Sequence, residues 1–260
     1  MTGAEKAIRE QGGGGERYAS ATMLERRKRI LAVTRELVAE QGIDGFSINA
    51  LCRRAEVAKQ TLYNAFGTKG ELIAAAILDY FEDYESHIPY RSATGTLNRL
   101  IERMVAIGTR NLAIPNYIKA ITGFYFSASA NPELRATLHD IFSGIQAPYV
   151  ESLVASSSLH PWVEGGRLID SLDEQRMLTA AKWARGDISD EHFVDSLVMG
   201  VLTILLGVSR GKERENILAV VTDIHEMTAT SYVASLPDSV GSHVPASYDG
   251  PELTGKRRLK

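Results

Sequence analysis

A single cysteine, Cys52, is all the sulfhydryl chemistry this chain of 260 residues holds. No internal disulfide can brace it, which fits a reducing cytoplasm. No apolar stretch of signal-peptide length follows Met1-Thr2-Gly3-Ala4-Glu5-Lys6. The longest apolar region, Leu197 to Val208, contains Thr203 and two glycines and reads as too short to span a bilayer, so no membrane partner is expected. No segment alternates convincingly enough for a strand. Metal-ligand and nucleophile constellations are also missing. The six histidines are scattered, and His139-Asp140 is an adjacent pair that cannot share one helical face. His225-Glu226-Met227-Thr228-Ala229 starts like a zinc-protease helix but has alanine where the second histidine belongs. Gly12 to Gly15 has no strand before it and no Lys-Ser/Thr after it, so it is not a phosphate loop. Neither an enzyme nor a bound cofactor or metal is expected.

What is present is ordinary in bulk and uneven in distribution. Hydrophobic residues make up 44% and charged residues 23%, as in a folded globular chain. The net charge is −3, yet residues 21–70 hold nine Lys/Arg against five Asp/Glu, a balance of +4 that leaves −7 for the remainder. A small basic unit on an acidic body suits contact with DNA through one end only.

Helix signals fill the chain between two tails. Residues 1–20 carry the glycine run and few large apolar groups, and residues 237–260 carry three prolines, three glycines and a basic end, so both read as loose. Thr22 and Glu25 have capping-box spacing, and Ile30, Leu31, Thr34, Leu37 and Val38 form one stripe that Gly42 stops. Ser47 is an N-cap candidate, with Phe46 and Leu51 as a hydrophobic staple for a short helix. A turn at 55–58 leads to a helix bearing Leu62 and Phe66, and a second capping box, Thr68 to Glu71, opens a helix to about Ser86. Longer helices are predicted near 95–113, 115–129, 132–156, 168–186, 189–209 and 212–235, with a kink at Pro148 and a loop over 156–167. The fold class is all-α. Its predicted units are a helix-turn-helix domain over 21–68 and a larger helical domain over 69–236.

The segment 55–66 carries the most information. Leu62 and Phe66, with Val57 ahead of them, point to a small core, leaving Lys59, Gln60, Thr61, Tyr63 and Asn64 outward. Gln and Asn can bond adenine edges, Lys can bond guanine, and a Thr methyl can touch thymine. Tyr63, Ser47 and Lys69 suit phosphates, Lys69 because the first turn of its helix already favours an anion. Arg53 and Arg54 read as a solvated face, and Cys52 as a small core residue.

From Arg27 to Leu78 the chain resembles the TetR family of bacterial transcriptional regulators. The resemblance rests on Ile30-Leu31, Leu37-Val38, Gly42, Ser47-Ile48, Leu62-Tyr63, Phe66, Lys69 and Leu72. It departs at Glu56, where the family has glycine in the turn, and at Ala58, where the family often caps with Ser or Thr. A left-handed glutamate and a missing cap each cost about 1 kcal/mol.

The resemblance implies a ligand-responsive homodimer on a palindromic double-stranded operator, most simply a repressor released by a small apolar molecule. An activator of the same build, or a helical sensor with weakened DNA binding, are the alternatives. The helix 189–209 is apolar nearly all round, and a four-helix dimer seam would use Phe193, Leu197, Val201, Ile204 and Leu205 with Ile217, Val221 and Ile224 of the next helix. A ligand pocket would draw on Met104, Tyr117, Phe124, Tyr125, Tyr149, Met177 and Trp183, large groups that also suit a plain core.

Overall fold

The computed structural model describes residues 3–237, with side chains from residue 22 onward. Among these residues the chain forms twelve α-helices, and its extended pairing is limited to an isolated bridge between Leu159 and Ser209. The first four helices are α1 (Gly3–Gly45), α2 (Ile48–Ala55), α3 (Lys59–Phe66) and α4 (Lys69–Ser86). The body comprises α5 (Leu97–Ala113), α6 (Pro115–Tyr125), α7 (Pro132–Ser143), α8 (Ala147–Ala155), α9 (Gly165–Arg185), α10 (Asp190–Val208), α11 (Gly211–Met227) and α12 (Ala229–Ser235).

Several boundaries differ from the sequence expectation. The loose tail predicted over 1–20 is helical from Gly3, so Thr22 lies inside α1 instead of capping it. An existing helix adds residues without a new nucleus, and Ala4 to Ala7 favour it, although each glycine of the run opposes it by about 1 kcal/mol. Gly42, at φ 79°, breaks the regular helix where a stop was predicted. The carboxy-terminal tail lies, from residue 238, outside the described residues. Pro148 produces a full break, with α7 ending at Ser143 and the proline in the first turn of α8. Gly165 opens α9 where a loop was predicted. A Cβ there would sit 3.0 Å from Val154 Cγ2, so glycine allows the start of α9 to lie against α8. The last predicted helix divides at Thr228 (φ 110°), and the Ala229 N–H donates to the Asp195 carboxylate at 2.8 Å. His225 and Ala229 therefore stand on separate helices.

The small amino-terminal unit of α1, α2 and α3, called the reader below after the role expected from its sequence, shares packing with the body through α1, which lies against α2, α4 and α6. Arg35 of α1 is 6% exposed. It donates to the Asp79 carboxylate at 2.9 Å and the Ala76 carbonyl at 3.3 Å, both on α4. Its guanidinium also lies 5.6 Å from the Tyr80 ring centroid, and Tyr80 meets Tyr117 of α6 edge-on. Burial pushes the Tyr80 phenol up to about 12.

α10 forms the axis of the body, packed against α5, α9, α11 and α12. Its 19 residues are long and apolar enough to cross a membrane by length and composition, unlike the shorter run read from the sequence. Here it is a core helix, with Phe193 stacked on Trp183 at 4.5 Å and Leu197 close over Gly108. Most residues of the expected dimer seam are occupied within this one chain. Phe193, Leu197, Val201, Leu205, Ile217 and Ile224 are buried within their own chain, while Ile204 and Val221 stay half-buried. An all-round apolar helix satisfies most of its faces inside one subunit before any partner arrives.

The turn between α2 and α3 supplies a test. Glu56 holds φ 53° and ψ 48°, the left-handed conformation that favours glycine. Glu56→Gly is expected to raise stability by about 0.5–1 kcal/mol in urea denaturation with an unchanged slope, and a fall in midpoint would refute the strain.

Candidate nucleic-acid interface

Short helices need terminal bonds, and α2 obtains them from its neighbours in sequence and space. Ser47 accepts the Ala50 N–H at 3.1 Å, as an N-cap should. At the other end, Arg29 of α1 donates through Nε to the Ala55 carbonyl at 3.1 Å. Phe46, Leu51, Ala55, Leu62 and Phe66 are buried together in the small core. Arg27 lays its guanidinium 4.6 Å from the Phe66 ring centroid and ties α3 to α1. α3 starts at Lys59 behind Ala58, which offers no side-chain cap.

That anchoring fixes which side chains face out. Lys59, Gln60, Tyr63 and Asn64 are exposed and Thr61 is half-buried, while Leu62 and Phe66 are inside. Gln60 Nε2 donates to Asn64 Oδ1 at 2.8 Å, so two amides one turn apart are held side by side. Lys59 Nζ stands 5.9 Å from the Tyr63 ring centroid. Ser47 is exposed at the start of α2. Lys69 differs from expectation in its orientation. Its ammonium donates to the Asp44 carbonyl at 3.3 Å and lies 4.7 Å from the Phe46 ring centroid. Burial lowers its pKa, and the Asp44 charge opposes that shift. Arg54 is exposed and paired with Glu36 and Glu40, which agrees with a solvated face.

The start of α4 is closed by its own side chains. Thr68 accepts the Glu71 N–H at 3.1 Å, and Glu71 accepts the Thr68 N–H at 2.7 Å. This reciprocal box orients α4 away from the reader and into the body.

In the body, a cavity of about 470 Å³ is walled by α4, α5, α6, α7, α9 and α10. Leu78, Phe81, Ile107, Ile121, Ile141, Phe142, Met177 and Leu197 give it an apolar lining, and Glu82, Glu85, Arg103, Asn111, Asp140 and Arg176 interrupt that lining. Of the seven pocket residues expected from sequence, Met177 alone lines this cavity. Met104, Tyr117 and Trp183 are buried core. Phe124 lines a neighbouring cavity at the start of α4, Tyr125 an open groove with His139, and Tyr149 a small recess. Large aromatic groups fill space, so they mark the core more than a void. A better signal was a polar residue on a core stripe. Asn111 follows Leu100, Met104 and Ile107 at helical spacing, and Arg176 follows Leu172 on α9.

A second cavity lies between reader and body. Ile43, Asp44 and residues 68–71 form one side, and Asn131, Glu133 and Leu134 of the α7 region the other. Leu78, Thr137 and Ile141 line both this space and the body cavity. Among the described residues, no group of His, Cys, Asp and Glu is placed to hold a metal.

Residues 30–76 match the family model described as bacterial regulatory proteins, tetR family. Over 73 residues the chain is 37% identical to the HTH-type transcriptional repressor KstR of Rhodococcus jostii (strain RHA1), covering 28% of this chain and 34% of that protein. Over 86 residues it is 30% identical to the HTH-type transcriptional regulator YezE of Bacillus subtilis (strain 168), covering 33% and 44%. The match thus spans less than half the length of either curated relative. A solved TetR transcriptional regulator from Rhodococcus sp. RHA1 superposes with a TM-score of 0.53 at 19% identity, covering 72% of this chain and 99% of that one. Another Rhodococcus sp. structure, described as TetR-family, gives 0.55 at 20% identity, covering 69% and 98%. These two share the fold over 69% and 72% of this chain, while the sequence likeness to the curated relatives spans 28% and 33% of it.

The capping box carries a pH signature. The Glu71 carboxyl is held below its ordinary value of 4.5, first by the Thr68 backbone N–H and then by the Thr68 hydroxyl. A depressed folded value means the contribution is present above 4.5 and is lost as the pH falls through the lower folded value. Glu71→Gln keeps the acceptor and removes the titration. Denaturation midpoints taken from neutral pH to below 4.5 should fall less steeply in this variant than in the parent, and parallel curves would refute the box's role.

Proposed function

We propose that this TetR-family chain is a cytoplasmic, homodimeric transcriptional repressor, released from a palindromic operator by a small, largely apolar molecule. One observation carries the DNA-binding part. α3 buries Leu62 and Phe66 and leaves Gln60 and Asn64 exposed and bonded to each other. In this reading Gln60, Thr61 and Asn64 meet base edges in the major groove, and Lys59 adds a guanine contact. Tyr63, Ser47 and Lys69 meet phosphates, Lys69 after its ammonium leaves the Asp44 carbonyl.

A second copy doubles the reader. The outward stripe of α10 and α11, with Met199, Thr203, Ile204, Leu218 and Val221, is the surface left for a partner once the buried residues are set aside. Two-fold symmetry then puts the recognition helices about one turn of DNA apart, ~34 Å. A ligand in the body cavity acts on α4 and α7, which wall it and also adjoin residues 68–71. A coupling of ~1–3 kcal/mol between cavity and reader is enough to shift occupancy of an operator.

Glu56 in the left-handed region and Ala58 without a cap favour the second reading, a sensor with weakened DNA affinity. Both readings meet in one experiment. DNA is selected from a random library by the purified protein and then used in mobility shifts. The repressor reading expects a palindrome. Gln60→Ala and Asn64→Ala are each expected to cost ~1–3 kcal/mol at one position of each half-site. Tyr63→Ala with Lys69→Ala is expected to weaken all sequences alike and to flatten the salt dependence. Absence of salt-sensitive binding by the parent would favour the sensor, and binding unchanged in the double variant would remove the assigned phosphate contacts.

A further inference from the structure

The body cavity that Asn111 lines has a chemistry more specific than its apolar walls. Three of its side chains hold buried polar atoms without a partner: Asn111 Oδ1, Arg103 Nε and Arg176 Nε. Asn111 is 5% exposed and Arg176 6%. The rest of each guanidinium is engaged. Arg176 donates to the Asp173 carboxylate at 2.7 Å and to the Phe142 carbonyl at 3.1 Å. Arg103 pairs with Glu85 and donates to the Gly144 carbonyl. A polar atom buried without a partner is costly, so a wall with three of them favours an occupant that satisfies them.

The charges decide what kind of occupant. Both guanidinium charges are already matched by carboxylates, Arg103 by Glu85 and Arg176 by Asp173. Glu82 and Asp140 add two further exposed carboxylates to the lining with no extra cation there. An anion entering this space meets an acidic surplus, softened where Glu82 and Asp140 face solvent. A cation matches that surplus but leaves both Nε–H donors unserved. A neutral molecule with an acceptor oxygen serves the donors at no Coulomb cost, and the Asn111 amide, whose two ends exchange by a flip, accepts or donates to a second oxygen.

Resting on the repressor reading, in which this cavity is the effector site, we propose that the ligand is a neutral apolar molecule bearing a carbonyl or ester oxygen. That oxygen takes the Nε–H of Arg176 or Arg103 beside the Asn111 amide, and the hydrocarbon part lies against Phe81, Ile121 and Met177. The cavity volume, about 470 Å³, falls within the ~300–1,000 Å³ range of small-molecule sites.

Three probes with one hydrocarbon chain separate the cases: methyl laurate, laurate and laurylammonium. Each is titrated calorimetrically into the full-length protein, into Asn111→Leu and into Arg176→Lys. The lysine retains the charge opposite Asp173 and lacks the Nε–H. Circular-dichroism melts check that each variant folds. The ester is expected to bind the parent at least about tenfold more tightly than either ion, and each folded variant is expected to lose about five- to tenfold for the ester, the worth of one hydrogen bond. Equal or tighter binding of laurate or laurylammonium would overturn the neutral class. Unchanged ester affinity in both variants, or no binding of any probe, would overturn the assignment of these side chains. The same preparation is assayed for operator binding. DNA binding without the ester preference sinks this inference alone, and loss of DNA binding by the parent sinks the repressor reading.

Discussion

The buried guanidinium of Arg35 is the fixed point of this molecule. It reaches from α1 into α4, where Ala76 and Asp79 receive it, and it lies beside the Tyr80 ring that leads to Tyr117 on α6. A charged group this enclosed is stable only while its acceptors stay in place. The orientation of α1 relative to α4 and α6 is therefore narrowly set. The small core of Phe46, Leu51, Leu62 and Phe66 rests on the same α1, so the exposed edge of α3 inherits its direction from a contact well inside the protein. Surface chemistry at Gln60 and Asn64 is a consequence of burial at Arg35.

The reader was legible in sequence because its determinants are local. Ser47 caps α2, Thr68 and Glu71 cap α4, and Gly42 breaks α1, each within a few residues of the signal. The left-handed Glu56 was legible through the family resemblance, which puts glycine at that point of the turn. Lys69 was legible in position and not in direction. Its inward bend depends on the Asp44 carbonyl and the Phe46 ring, groups that approach only when α1 and α4 meet.

The body was legible as helices and poorly legible as a site. Periodicity marks which faces are apolar, but a cavity is the space that packing fails to fill, and no single residue encodes it. Large apolar side chains pointed to Met104, Tyr117 and Trp183, which are buried in the core. The informative residues were Asn111 and Arg176, polar groups on otherwise apolar stripes. The same limit affected the dimer seam. An apolar helix advertises burial without saying whether its neighbour belongs to the same chain, and α10 finds most of its neighbours in α5, α9, α11 and α12.

Leu78, Thr137 and Ile141 belong to both the body cavity and the space beneath residues 68–71. A change of size at any of the three alters two fits at once. In the proposed repressor, drift toward a bulkier or smaller effector through these positions would therefore carry a shift in operator affinity with it, whereas drift through Phe81 or Ile121, which line the body cavity and not the second one, would not. Under the proposed function, new specificity thus has two separate routes, one that disturbs the fit beneath residues 68–71 and one that leaves it alone.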